Sequence, residues 1–388
     1  GYDGVYPNPQ LLFFLFTLPI LYYRKAFNFD YIKNDIILIY VILLLTFIYI
    51  LSTFLSYLFT PVSFFFPLSE TIKQTLNLWL IFIPFLYLEI NNLIFFLKFM
   101  VILGFFEIIF IFYGILGVFG IISISEILKN YIYNTVLIQS WTALGFFPKW
   151  GGTFPETQQL STFLLICYVL LDVLYNRENI GKMILKIIFI VSILYFQSKS
   201  TIPALLLYIT LKMFKPTNKN IFSFITITIV VICVIVIFII YNLSYELSNN
   251  TFNIENLALE YSSFGERIFH LVKSIDIMSS NLIQLLIGIG PRAYGTVISE
   301  NYGSYFNEYT NAMSIFSVLS DIGVIGFITL ILFLFLIFKK MKNYKLKLAF
   351  FVVIFAYSFQ IAWGESYLIA FIASMLNLDR CFRQLVIQ

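Results

Sequence analysis

Long apolar stretches separated by short polar breaks run along the whole chain. A helix needs about 20 apolar residues to cross the hydrocarbon core of a bilayer, and the stretches reach this length or fall somewhat short of it. Because lipid offers a backbone no hydrogen-bond partner, each stretch that crosses must be helical. The pattern predicts an all-α polytopic membrane protein with about 11–12 transmembrane helices, and the stretches that we assign are residues 11–23, 36–59, 76–90, 93–119, 160–175, 183–196, 202–213, 221–243, 312–338, 348–362 and 367–378.

Composition supports the same class of protein. Hydrophobic residues make up 60% of the 388 residues and charged residues only 11%, whereas a soluble domain carries about 25% charged residues. The chain therefore lacks the polar groups to cover a soluble globule, which excludes secreted domains, nucleic-acid binders and Rossmann-type enzymes. Three scattered cysteines without CxxC spacing and a single histidine indicate no metal centre, and no cofactor is predicted.

Lys and Arg residues are unevenly distributed between the two sides that these spans define. Sixteen of the 24 fall on one side, which is cytoplasmic by the positive-inside rule, and they include Lys182, Lys186, Lys212, Lys340 and Arg380. The other side then holds two long polar segments, 120–159 and 244–311, within a single membrane domain of residues 1–388. The chemistry is predicted to lie on this outer side.

Four outer cations oppose the positive-inside bias and require another explanation: Lys149, Lys199, Arg267 and Arg292. Lys149 comes shortly before Gly152, Thr153 and a predicted helix, where backbone N–H groups and the helix dipole favour an anion. Gly152 and Thr153 are therefore candidate substrate contacts. An ordinary loop with Trp150 at the membrane interface explains the same residues equally well.

Lys199 and Arg292 each occupy a turn. Lys199 lies between Ser198 and Ser200 in a short outer turn, where an ammonium flanked by hydroxyls could hold a phosphate. A lysine that snorkels to the interface is the alternative. Arg292 follows a Gly-Ile-Gly-Pro sequence without the spacing of a dinucleotide fingerprint. This turn is predicted to bring backbone amides together with a guanidinium, which suits bidentate phosphate contacts.

The stretch 265–278 has apolar residues at helical spacing and predicts an amphipathic helix on the outer surface. Arg267, His270 and Ser274 share its polar face, which would turn toward an outer cavity. His270 is a candidate acid or base, and a structural histidine is the alternative. Glu308, close to Asn311 at the start of a late span, could orient or deprotonate a sugar hydroxyl, with a solvated loop carboxylate as the alternative. Glu300 and Glu365 also face outward.

The order of these motifs resembles the superfamily of O-antigen polymerases and O-antigen ligases, which are bacterial envelope glycosyltransferases. The resemblance covers residues 149–338. Ligases of this group place a histidine just before the late asparagine, where this chain has Thr310, so the polymerase branch is favoured. The matching features are a basic residue before Gly152-Thr153-Phe154, the Ser-Lys-Ser-Thr turn at 198–201, Arg267 followed by Leu-Ile-Gly-Ile-Gly-Pro at 286–291, and Asn311 before Leu-Ser-Asp-Ile-Gly-Val-Ile-Gly at 319–326.

This resemblance implies a GT-C type glycosyltransferase fold with extracytoplasmic loop helices, in a bacterial inner membrane with its active site facing the periplasm. It implies an undecaprenyl-diphosphate-linked donor, a second lipid-linked repeat unit as acceptor, inverting transfer without a metal, and a chain-length regulator as a further partner. Arg267 would bind the donor diphosphate, and Lys149, Lys199 and Arg292 would be further phosphate or glycan contacts, with Asn311 also in the substrate site.

Two alternatives stay open on the sequence. A ligase would transfer finished polymer to another acceptor, which the sequence does not identify. A flippase or transporter for lipid-linked oligosaccharide would be expected to show inverted repeats or interrupted helices with charges near the midplane. Here the polar residues are concentrated in two outer segments, which favours chemistry at the membrane surface.

Overall fold

A computed structural model describes residues 27, 32–59, 65–126, 129, 142–143, 147–148, 157–175, 179–196, 198, 200–214, 273–302, 314–358 and 365–387. Within these residues the protein is helical, apart from an antiparallel pair of two-residue strands, β1 (Thr142–Ala143) and β2 (Phe147–Pro148). A 3₁₀ turn (Ile32–Asp35) leads into the first helix. The helices are α1 (Ile36–Phe59), α2 (Phe65–Leu76), a π-helical segment (Asn77–Phe82), α3 (Ile83–Tyr87), α4 (Ile90–Val118), α5 (Thr157–Leu174), α6 (Ile180–Phe196), α7 (Thr201–Phe214), α8 (Leu282–Ile287), α9 (Ala293–Tyr302), α10 (Ser314–Lys340), α11 (Tyr344–Ser358) and α12 (Ser366–Ile387).

Four described helices are long and apolar enough to cross a membrane, and each coincides with a predicted span. They are α1, α4, α5 and α10. The prediction of an α-helical membrane protein is thus confirmed. The stretches predicted at 183–196, 202–213 and 348–362 correspond to α6, α7 and α11 in the described part of the chain, whereas 11–23 and 221–243 lie outside the described residues.

The exposed surface of the bundle is apolar along four helices. On α1 the side chains of Tyr40, Phe47 and Phe54 recur every seven residues and are each at least 59% exposed, and α4, α6 and α10 carry similar stripes. Continuous apolar stripes of this size are unfavourable in water and suit contact with acyl chains. By contrast, α5 is buried over nearly its whole length and α12 is buried from Ser366 to Arg380, so these two helices form the centre of the bundle.

One helix begins much earlier than its apolar stretch predicts. The stretch starts at residue 76, but the helix starts at Phe65 and continues through α2, the π segment and α3 to Tyr87. Its first turns carry polar residues, which the sequence pattern places in an outer loop. These turns are helical because α2 packs on α1, where the Thr71 and Thr53 hydroxyls lie 2.5 Å apart.

Residues predicted to share the cytoplasmic side do meet at one end of the bundle, which we call the basic face. There the buried carboxylate of Asp35 lies 2.6 Å from Lys340 Nζ and 2.7 Å from Arg380 Nη2. The neighbouring Asp379 accepts the backbone N–H groups of Lys342 and Asn343. Since these contacts need residues beyond 378, α12 continues to Ile387 instead of ending where its apolar run ends.

A second ion-pair group lies at the same face. Asp172, at the end of α5, contacts Lys182 at 3.5 Å and Lys212 at 2.6 Å, and also Lys186. These contacts join the end of α5 to the start of α6 and the end of α7. Tyr208 on α7 hydrogen-bonds Asp172 and is close to Tyr344 at the start of α11, so both ion-pair groups belong to one end of the bundle.

The other end of the bundle carries the short helices of the segment 244–311. Here α8 and α9 pack against α10, and α8 also contacts α1. Residues 273–279 are helical as well. The sequence predicts one amphipathic helix in this segment, whereas the structure adds α8 and α9 on either side of the Gly-Ile-Gly-Pro turn.

Candidate functional site

Helix α10 is broken at Gly323, where the backbone has φ of 65° and ψ of −173°. The break opens the carbonyls of Ser320 and Asp321 to partners outside the helix. Ser320 accepts a hydrogen bond from Ile289 N at 2.8 Å and Asp321 accepts one from Gly290 N at 3.2 Å, while the Ser52 hydroxyl also donates to the Asp321 carbonyl. Non-helical backbone at membrane depth requires such replacement partners, and residues 288–292 supply them.

Close contact between the two segments requires glycine at particular positions. A Cβ atom at Gly323 would lie 2.5 Å from the backbone nitrogens of Ile287 and Gly288. A Cβ at Gly290 would lie 2.3 Å from Ser56 Cβ on α1. The turn at 288–292 therefore fits tightly between α10 and α1, and two of the motifs that suggested the family resemblance, 286–291 and 319–326, are in direct contact.

Arg292 ends this turn in the left-handed backbone region, with φ of 58°. Such a conformation costs a non-glycine residue about 1–2 kcal/mol. The Arg292 N–H donates to Asp321 Oδ1 at 3.1 Å, and an intramolecular hydrogen bond contributes about 0.5–1.5 kcal/mol. The energy of the hydrogen bond to Asp321 is thus comparable to the conformational strain at Arg292.

The backbone amides of the turn are used within the protein. Gly288 N donates to Gln284 O, Ile289 and Gly290 donate to α10, Arg292 donates to Asp321, and Pro291 has no N–H. Three of these N–H groups are bound by oxygens that the break in α10 presents, which leaves the guanidinium as the group that a ligand could contact. The predicted phosphate contact of Arg292 stays a prediction.

Helix α2 places an oppositely charged pair beside Arg292. Glu70 Oε1 lies 3.6 Å from Lys73 Nζ and accepts a hydrogen bond from Gln74 Nε2 at 2.8 Å. The side chains of Glu70 and Lys73 are only 13% and 25% exposed. Arg292 interacts electrostatically with both of them, and Glu365 interacts with Lys73. We call the five ionisable residues Glu70, Lys73, Arg292, Asp321 and Glu365 the break cluster.

The charges of Glu70 and Lys73 support each other. Burial alone would raise the pKa of Glu70, but the positive charges of Lys73 and Arg292, together with the hydrogen bonds from Gln74 and Lys73, outweigh burial and lower the pKa below its ordinary value. The negative charge of Glu70 outweighs the effect of burial on Lys73 and raises its pKa. Both side chains are therefore held in their charged forms.

A second backbone irregularity lies next to the cluster. The π segment begins at Asn77, whose Oδ1 accepts a hydrogen bond from Ser366 Oγ at 2.9 Å. Ser366 directly follows Glu365, a member of the break cluster. π-Helical turns inside α-helices are frequent at functional sites. Two irregular helices therefore meet around these ionisable groups, and this is the feature that marks the region as the candidate site.

The break cluster lies far from the basic face. Lys340 follows the break at Gly323 by 17 residues of regular helix, which corresponds to about 26 Å at 1.5 Å per residue. The hydrocarbon core of a bilayer is about 30 Å thick, so a bundle with its basic face at one interface has the break cluster close to the other. In the described part of the chain, no group of three or more His, Cys, Asp or Glu side chains could hold a metal ion.

Comparison with known proteins gives no family assignment. No protein-family model and no curated protein matches the chain.

Of the predicted site residues, Arg292 lies within the described residues, half-buried in the break cluster. The others lie outside the described residues: Lys149, Gly152, Thr153, Lys199, Arg267, His270, Glu308 and Asn311. Their roles stay predictions. On the predicted amphipathic helix, Ser274 of the polar face is buried and Ile275 of the apolar face is 37% exposed, and whether this polar face lines an outer cavity stays a prediction.

The hydroxyls beside Lys199 are engaged inside the protein. Ser198 Oγ lies 2.9 Å from Thr201 Oγ1, which in turn lies 3.0 Å from Thr162 Oγ1 on α5. Ser198, Ser200 and Thr201 are all buried. In this arrangement the hydroxyls fix the start of α7 against α5, and the predicted phosphate contact of Lys199 stays a prediction.

Four members of the break cluster were not assigned a role by the sequence patterns. Lys73 is one of the seven cations that the span assignment puts on the outer side, Glu365 is one of the outward carboxylates, and Glu70 lies between two predicted spans. Asp321 stood inside a family motif without a stated role. A sequence signal did exist, because Glu70, Lys73 and Gln74 recur at the i, i+3, i+4 spacing of one helix face.

Proposed function

We propose that this protein is a membrane glycosyltransferase that joins undecaprenyl-diphosphate-linked repeat units, as O-antigen polymerases do. The observation that carries the proposal is the break cluster, in which Arg292 stands at an interrupted membrane helix beside the Glu70–Lys73 pair. Ionisable residues within a membrane domain are costly and are by default functional. The family resemblance supplies the substrate class.

The proposed chemistry suits a site built on fixed cations. When the glycosidic bond of the donor breaks, negative charge develops on the departing lipid diphosphate, and positioned cations stabilise that charge without a metal. In the proposal, Arg267 and Arg292 bind the diphosphate. Lys149 and Lys199 contact phosphate or glycan, and Glu308 or His270 accepts the proton of the attacking hydroxyl.

The GT-C type fold and the orientation belong to the same proposal. With the basic face in the cytoplasm, the break cluster would lie near the periplasmic surface of the inner membrane. A lipid-linked donor in the periplasmic leaflet would then have its diphosphate at about this depth. Lys73 and Arg292 would be the described cations closest to it, while Glu70 and Asp321 would hold them in place.

The test is polymer formation by the purified full-length protein in proteoliposomes. The donor is undecaprenyl-diphosphate-linked glycan extracted from membranes of the cells in which the protein is native, supplied without metal or nucleotide. The wild type is compared with Arg292→Ala and Arg267→Ala, with Asp276→Ala as the matched control. Asp276 is an exposed outer carboxylate that pairs only loosely with Lys273, at 3.6 Å, and it lies outside the cluster.

The wild type and the control should give a ladder of products, and both arginine variants should lose at least 90% of it. This loss corresponds to about 1.4 kcal/mol or more of transition-state stabilisation. The variants should be recovered from membranes in wild-type amounts. A ladder that persists in Arg292→Ala would remove the break cluster from the mechanism. A single shift of preformed polymer onto a new acceptor would identify a ligase.

One observation favours transport as a second candidate. Interrupted helices with charged groups are typical of membrane transporters, and α10 is interrupted at the break cluster. The same proteoliposomes distinguish the two functions. Movement of the lipid-linked glycan across the vesicle membrane, without any ladder from the native donor, would favour a flippase and would reject the polymerase.

A further inference from the structure

Three hydrogen bonds join the turn at 288–292 to the break in α10, and they differ in kind. Two run from Ile289 N and Gly290 N to the backbone carbonyls of Ser320 and Asp321. The third runs from Arg292 N to the side chain of Asp321. A substitution of Asp321 therefore deletes the third bond and leaves the two backbone bonds in place, so the contribution of this side chain can be isolated.

We infer that Asp321 is a positioning residue, whose carboxyl oxygen fixes the backbone of Arg292 and thereby aims the guanidinium at the diphosphate of the lipid-linked donor. This inference rests on the proposed function, which it deepens by naming the residue that orients the phosphate-binding group. Asp321 itself need not touch the substrate, because its Oδ1 is used by Arg292 N.

The geometry explains why such a residue is needed. The direction of a Cα–Cβ bond depends on φ, and at φ of 58° the Arg292 side chain leaves the backbone in a direction that an ordinary φ would not give. Arginine does not favour this region on its own. The left-handed conformation therefore depends on what holds the N–H, and Oδ1 of Asp321 is the atom that does so.

The neighbours of the guanidinium support a fixed position. Arg292 interacts with Glu70 on α2, and Glu70 is held in turn by Lys73 and Gln74. The backbone of Arg292 is thus held by Asp321, and the negative charge of Glu70 attracts its guanidinium. An arginine that is aligned before the ligand arrives loses less conformational entropy on binding.

The test uses the full-length protein with Asp321→Ala, Asp321→Asn, Arg292→Ala and the double variant Asp321→Ala/Arg292→Ala. Two measurements are made: KM and kcat for the undecaprenyl-diphosphate-linked donor, and hydrogen–deuterium exchange in peptides covering residues 288–293. Asp276→Ala is again the control. Asparagine retains an acceptor oxygen, so Asp321→Asn keeps the test meaningful if Asp321→Ala folds poorly.

We expect Asp321→Ala to raise the donor KM about tenfold, the size of one lost hydrogen bond, and to speed exchange at 288–293. Asp321→Asn should stay within about threefold of the wild-type KM. The double variant should be no worse than Arg292→Ala, because both changes act through one guanidinium. The control should match the wild type in both measurements.

Several results would overturn the inference. Additive losses in the double variant would show that Asp321 acts independently of Arg292. A lowered kcat at unchanged KM would place Asp321 in the chemical step. Failure of the wild type to make any ladder would reject the proposed function alone. The exchange measurement would then decide whether Asp321 positions the turn. Unchanged exchange at 288–293 in Asp321→Ala would mean that Asp321 does not hold the turn.

Discussion

The two ends of the bundle both carry ionisable groups, but they use them on different kinds of backbone. At the basic face, Asp35 and Asp172 join the ends of regular helices, and each carboxylate has two or three cationic partners. At the break cluster, the ionisable groups stand beside a broken helix, a left-handed arginine and a π segment. Irregular backbone costs energy and is retained mainly where a function needs it.

The difference separates stability from function. Ion pairs between helix ends hold the bundle together, and their removal should affect how much protein folds. At the break cluster, the hydrogen bond from Arg292 N to Asp321 orients the Arg292 side chain, and its removal should affect the activity of the folded protein. Three further changes compare the two ends, one at the basic face and two at the break cluster, and they follow in order of decreasing expected effect on stability.

The largest effect is expected from Asp35→Ala. This change leaves Lys340 and Arg380 without their shared, 1% exposed carboxylate, and breaking a buried pair costs about 3–5 kcal/mol. Unfolding in detergent micelles should show this loss in the free energy of unfolding, with Asp35→Asn in between. Activity per folded molecule should equal that of the wild type. A selective loss of activity at normal stability would erase the distinction between the two ends.

Gly323→Ala should have the next largest effect. The new Cβ would lie 2.5 Å from the backbone of Ile287 and Gly288, at a φ of 65°, and strain plus overpacking costs about 2–5 kcal/mol. The matched control is Gly181→Ala on α6, where Asn179 Oδ1 at 3.7 Å is the one described contact. Thermal melts should separate the two variants clearly. Equal melting temperatures would mean that the break is not tightly packed.

The smallest effect is expected from pH. The pKa of Glu70 is lowered on folding, so its contribution is present above its unfolded pKa of about 4.3 and is lost as pH falls through the folded value. The pKa of Lys73 is raised, so its contribution is present below about 10.4 and is lost as pH rises through the folded value. The pair should add at most about 1 kcal/mol in the pH window between them.

This pH effect is measured by comparing the wild type with Glu70→Gln in melts from pH 3 to pH 11. The difference between the two proteins should be flat from about pH 5 to pH 10 and should shrink at both extremes. A difference that grows in acid would mean that the sign of the Glu70 shift is wrong. The pair would then oppose folding instead of supporting it.

Sequence patterns predicted the helices whose boundaries depend on hydrophobicity alone. The bounds of α1 match the predicted 36–59, because the apolar run itself starts and stops there. The start of α2 and the end of α12 were missed, since polar residues such as Thr71 and Asp379 are helical through contacts with other helices and loops. Local composition carries no information about such contacts.

The candidate site was predictable in part for the same reason. Arg292 stood out because a cation on the outer side opposes the topology bias. Asp321 and the break at Gly323 did not, since the glycine lies within an apolar run that predicts an unbroken span. The use of the turn amides could not be foreseen either, because it depends on which carbonyls the break presents.

The hydrogen bond between Ser52 and the Asp321 carbonyl has a consequence for how the protein is made. Its two residues are 269 positions apart, so α1 leaves the ribosome long before its partner is synthesised. An unpaired carbonyl in hydrocarbon costs several kcal/mol, on the order of 4 or more. We therefore expect α10 to enter the membrane as an unbroken helix and to open at Gly323 only on docking against α1 and the turn, so that the site is completed at a late stage of biogenesis.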